Sequence, residues 1–101
     1  MTDTDPSVVD LIDAEYDLED GFIGRLRSGT FDQAGADRLI AALRALDLGD
    51  GPIERRLVSL LWYLPIIIEW QKERVPEADL QKVEILLGEV IGILETTLGA
   101  P

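Results

Sequence analysis

The stretch Leu60–Trp70, LLWYLPIIIEW, decides the fold, because a proline interrupts the most apolar run of the chain and two tryptophans stand inside it. A membrane segment, a strand and a helix compete for it. The wider run Leu57–Ile68 has twelve residues broken by Ser59, against roughly 20 needed to span a bilayer, so it is no transmembrane helix. At about 100° per residue, Leu57, Leu60, Leu61, Leu64, Ile67 and Ile68 share one broad face, which the alternation of a strand does not produce. The stretch reads as part of a helix from about Pro52 to Arg74. Pro65 lacks an amide hydrogen and its ring crowds the Leu61 carbonyl, so this helix is expected to kink or split there. A strand over IIIEW would stand alone, with no other strand signal to pair with.

Working outward, three more helices are expected. Towards the N-terminus, Asp5 as cap and Pro6 in the first turn open a helix running to about Gly29. Its apolar stripe is Val8, Leu11, Leu18, Phe22 and Leu26, widened by Ile12 and Ile23; Gly21 and Gly24 weaken it and leave a bend or break open at that point. A second helix begins at TFDQ, where Thr30 and Gln33 have capping-box spacing and Asp32 competes as cap. It buries Leu39, Ile40, Leu43 and Leu46 and ends in the turn LGDGP, residues 48–52. The last helix follows Pro76 to about Leu98, with Leu80, Val83, Leu87, Val90 and Leu94 at spacings of three and four. The expected architecture is all-α: a single-domain antiparallel bundle of about four helices over residues 1–101, frayed at 1–5 and 99–101. The helix containing Pro65, being the most apolar, should lie innermost.

Composition narrows the chemistry. At 101 residues with 47% hydrophobic side chains the chain can bury one core despite a net charge of −11. It has no cysteine, hence no disulfide, thiolate metal site or catalytic thiol, and no histidine, the usual acid/base near neutral pH. An enzyme is not expected, nor is a metal or other cofactor. The start MTDTDPSVVDL has neither a basic nor an apolar leader region, so the expected compartment is the cytoplasm.

The charge is unevenly spread. Eight acidic residues and no basic ones fall in the first twenty positions, leaving twelve acidic against nine basic side chains in the other 81, a net of −3. Asp10, Asp13, Asp17 and Asp20 follow spacings of three, four and three, which on one helix forms a single acidic face. Like charges at that spacing repel by roughly a few tenths of a kcal/mol per pair, so stability alone does not favour the strip. A binding surface for a basic partner is the functional reading, a solvated face the plain one. Glu15 points into the apolar stripe and is expected to pair with an arginine such as Arg25, Arg38 or Arg56, since buried charges are paired, the alternative being a carboxylate that faces a partner or a metal.

Trp62 falls opposite the core stripe of its helix, on a face with Val58, Ile66, Glu69 and Glu73, and Trp70 lies at the margin. Tryptophan there is either covered by another helix or exposed as a binding hot spot. Gly88 and Gly92, with Ile85 nearby, have the spacing of a close helix contact, which serves internal packing or a homodimer.

Other chemistry is missing. DLGDGP lacks the lysine of a phosphate-binding loop, and DLEDG departs from a calcium loop at its third ligand position. All-α nucleotide pyrophosphohydrolases hold magnesium through EExxE runs; Glu15 with Glu19, and Glu69 with Glu73, approximate these without reproducing them, which keeps a magnesium-dependent enzyme of that kind as a minor alternative. The scattered arginines form no basic footprint, so neither nucleic acid nor a membrane surface is an expected partner.

In size, acidity and the segments GFIGRLRSGTFD (21–32) and LVSLLWYLPIIIEWQKER (57–74), the chain resembles the small immunity proteins of bacterial polymorphic toxin systems. The resemblance implies stoichiometric inhibition of a cognate toxin. The expected function is therefore an acidic protein-binding module that inhibits a basic toxin such as a nuclease, through Asp10, Asp13, Asp17, Asp20, Trp62, Ile66, Glu69, Trp70 and Glu73. The alternative is a helical homodimeric module, or a secretion chaperone or adaptor, with self-association through Ile85, Gly88 and Gly92.

Overall fold

The computed structural model describes residues 7–48 and 51–99. Within them the molecule is all-helical: α1 Val8–Ala14, α2 Phe22–Arg27, α3 Gln33–Arg44, α4 Arg55–Trp70, a 3₁₀ turn Gln71–Arg74, and α5 Glu77–Leu98. No described helix is long and apolar enough to cross a membrane.

The single helix expected from Pro6 to Gly29 is in fact two. α1 starts where the Ser7 hydroxyl accepts the Asp10 amide at 3.1 Å; the cap expected at Asp5 and Pro6, and the fraying of residues 1–5, 100 and 101, lie outside the described residues. It stops after Ala14 because the chain tightens into three-residue bonds, Glu15 N–H to Ile12 and Tyr16 N–H to Asp13. The Asp17 carboxylate then accepts the amides of Glu19 and Asp20, at 3.1 and 2.8 Å, offering the backbone an alternative to helix. Gly21 and Gly24 let this turn fold back on α2. A Cβ on Gly21 would sit 2.5 Å from the Glu15 carbonyl, and one on Gly24 would overlap the Asp17 carbonyl oxygen. Phe22, Ile23 and Leu26 enter the core as expected, but Leu11 and Leu18 do not: they are 43% and 65% exposed.

α3 is capped by Asp32, not Thr30, and the Asp32 carboxylate bonds no amide there because Arg25 holds it at 3.0 Å. Leu39 and Leu43 are buried, while Ile40 and Leu46 pack at the edge of the core. α4 buries Leu57, Leu61, Leu64, Ile67 and Ile68, and Pro65 lies inside it with helix on both sides, so the chain is not split there. Tyr16 ties the α1–α2 turn to α4 by donating its hydroxyl to the Leu60 carbonyl at 2.6 Å. α5 buries Val83, Leu86, Val90 and Leu94; Leu80 and Leu87 are half-buried.

α1 and α5 each pack against both α3 and α4, and α2 lies against α3, α4 and the 3₁₀ turn. The molecule measures 44 × 36 × 19 Å. A helix with its side chains is about 10–12 Å across, so the thin dimension holds about two helices and α4 cannot be covered on every side. The expectation that it lies innermost therefore fails on its outer face.

Candidate functional site

On that outer face, Val58, Trp62, Ile66 and Trp70 follow one another at intervals of four residues, the spacing of a ridge along a helix. Trp62 is 56% and Trp70 59% exposed, and Ile66 is half-buried. Tyr63 stands between the two indoles, with its ring centroid 5.8 Å from each in edge-to-face geometry. The three rings thus form one cluster across the turn that contains Pro65. Tyr63 is absent from the residues expected for the surface; its seven-residue offset from Trp70, two helical turns, was the signal for it.

One flank of the ridge is a shallow groove of about 370 Å³ between α4 and α5, lined by Pro65, Ile66, Glu69, Trp70, Leu87 and Ile91. Glu69 lies 3.2 Å from the Lys72 ammonium, and Glu73 is exposed in the 3₁₀ turn.

The acidic residues are arranged differently from the expected strip. α1 ends at Ala14, so Asp17 and Asp20 do not continue the face of Asp10 and Asp13. One guanidinium, that of Arg56 on α4, bridges Asp13 at 2.7 Å and Asp10 at 3.1 Å. The Ser7 hydroxyl and then Arg56 hold the Asp10 carboxyl below its ordinary range, and Asp13 followed by Asp10 raises Arg56. Asp17 is held low by the Asp20 and Glu19 amides that it accepts. Asp20 is exposed, and its N–H is spent on Asp17. Asp10, Asp13 and Asp17 still converge, lining one shallow depression with Ala14 and Tyr16. Burial, then the neighbouring Tyr63 and Asp13, raises the Tyr16 hydroxyl, which keeps it a neutral donor to Leu60. Carboxylates, Tyr16, Tyr63 and the tryptophans thus lie on adjoining parts of one surface.

Glu15 is buried, and of its three candidate partners Arg38 is the one it meets, with Nε 2.9 Å from Oε2 and Nη2 3.2 Å from Oε1. Its Oε1 also accepts the Phe22 amide at 3.0 Å, capping α2. Glu15 is thus committed to the fold, away from any pairing with Glu19. Among the described residues no group of three or more acidic side chains is placed to hold a metal ion.

Gly88 and Gly92 lie exposed on α5, and a Cβ at either would meet nothing within 4 Å. The close internal packing expected as one use of this pair is therefore not what they provide. Ile85 is 57% exposed and lines a second groove, between α3 and α5. No family model, curated protein or solved structure matches the chain.

Proposed function

We propose that the protein is a non-catalytic, single-domain helical bundle of the cytoplasm that binds a basic protein partner through the ridge of α4 and the carboxylates beside it. The observation that carries this reading is the exposure of Trp62 and Trp70 in one aromatic cluster. Rigid aromatic area left in water on a small chain is what an interface anchor needs, and a net charge of −11 speeds encounter with a cation-rich surface. Together with the resemblance to immunity proteins, this supports stoichiometric inhibition of a toxin whose active site is basic, as a nuclease's is in order to hold phosphate.

The test is co-expression with the product of the adjacent open reading frame. Expected are rescue from its toxicity and a one-to-one complex that weakens with salt and is lost in Trp62→Ala. Indifference of the complex to both salt and Trp62→Ala overturns the reading.

A second reading is favoured by one observation, the exposed Ile85 beside the open faces of Gly88 and Gly92. It makes the chain a homodimeric module or a secretion adaptor joined through α5. Light scattering separates the two: a monomer supports the first, and a salt-insensitive dimer disrupted by Ile85→Lys supports the second.

A further inference from the structure

The groove between α4 and α5 has a shape and a charge pattern that narrow its occupant further. Its floor is apolar, from Pro65, Ile66, Leu87 and Ile91. Beside it the ridge from Val58 to Trp70 runs along α4 for about 18 Å, at about 1.5 Å of rise per residue. That is the length of about three helical turns, and the ridge's Ile66 and Trp70 line the groove. Along the α5 side, exposed Glu84 precedes Leu87 by three residues and exposed Glu95 follows Ile91 by four, so both carboxylates share the face that borders the groove. On the α4 side stand Glu69 and Glu73, with the nearby Lys72 ammonium taken by Glu69.

Resting on the protein-binding reading above, we infer that this groove takes an amphipathic α-helix of the partner, apolar side inward and lysines or arginines along both edges. A ridge of side chains at four-residue spacing beside a groove between two helices is the complement of another helix's own ridges. A peptide that adds as a β-strand, by contrast, needs a free sheet edge, and the described residues contain no strand. A second copy of this chain is the poorer occupant, because a two-fold axis through the groove brings the same four carboxylates against themselves.

The probe is a synthetic helix of about eighteen residues, leucines at three- and four-residue spacing and lysines elsewhere, set against an isomer of the same composition with leucines and lysines alternating. Binding is read from the tryptophan emission of the intact chain at low salt, the peptides containing no tryptophan. The helical pattern should bind saturably with a blue shift of that emission, and Ile91→Lys should weaken it about tenfold or more. Equal binding of the alternating isomer, or indifference to Ile91→Lys, overturns the helix-in-groove inference and leaves a merely acidic binding surface standing. Failure of both peptides to bind sinks that surface as well. A wild-type dimer that Ile91→Lys turns into a monomer assigns the groove to a second copy instead, and overturns the inference.

Discussion

Glu15 and Arg38, twenty-three positions apart, form a two-point ion pair in which the carboxylate is buried and the guanidinium half exposed. The same carboxylate caps α2 through the Phe22 amide, so one side chain joins the end of α1, the start of α2 and the middle of α3. Arg38→Ala leaves that carboxylate buried with a single donor and should cost about 2–4 kcal/mol. Glu15→Gln keeps an acceptor for Phe22 and should cost less. Urea midpoints of the two variants check the order, and an Arg38→Ala midpoint at the wild-type value would show that the pair holds nothing together.

The glycines divide by what surrounds them. A methyl on Gly24 would overlap the Asp17 carbonyl oxygen and Leu18 backbone, so Gly24→Ala must push the turn off α2, at about 1–3 kcal/mol or more. Gly88 and Gly92 face open space within a long helix, so Gly88→Ala and Gly92→Ala should each stabilise the chain by about 0.5–1 kcal/mol. Thermal melts of the three variants should therefore move in opposite directions. A loss of stability at Gly88 would mean that something covers that face in solution.

α4 and α5 were legible from the chain because their apolar residues repeat with helical period over lengths that no turn interrupts, and Pro65 did not hide this. The division between α1 and α2 was legible only as a weak point at Gly21 and Gly24, because counting apolar positions from Val8 to Leu26 carries straight through a turn made by local bonds: the Asp17 carboxylate on two amides and two glycines permitting backbone contact. Leu11 and Leu18 were misplaced for that reason, and so was the four-aspartate strip. Glu15 could be given three arginines but not one, since only the fold brings Arg38 to it. At the surface, the four-residue rhythm placed Trp62 outside the core. Whether another helix covered it depended on the thinness of the molecule, which no periodicity encodes.

Both indoles, being more than half exposed, should be reached by an aqueous quencher. In single-tryptophan chains made by Trp62→Phe or Trp70→Phe, the neutral quencher acrylamide should quench the remaining emission nearly as in an unfolded control. Neither substitution should lower the melting temperature by more than about 2–4 °C, since a surface change away from caps and cores is worth about 0.5 kcal/mol or less. Strong protection of either indole in the isolated chain would place it under another copy.

Acid should release the turn between α1 and α2. Asp17 accepts two amides, so its folded pKa lies below the ordinary 3.8 and the native state favours the charged form. Its contribution to stability is then complete above 3.8 and is lost as the pH falls through the lower folded value. The chain has no histidine, so no side chain with an ordinary pKa changes charge between about pH 5 and 8, and the contribution should be flat there. Asp17→Asn isolates it from the general relief of negative charge that acid brings. The stability gap between wild type and Asp17→Asn, from urea midpoints across a pH series, should hold constant from neutral to about pH 5 and close below about pH 4. A gap that persists unchanged into strong acid would show that the amides of Glu19 and Asp20 do not depend on the charge of this carboxylate.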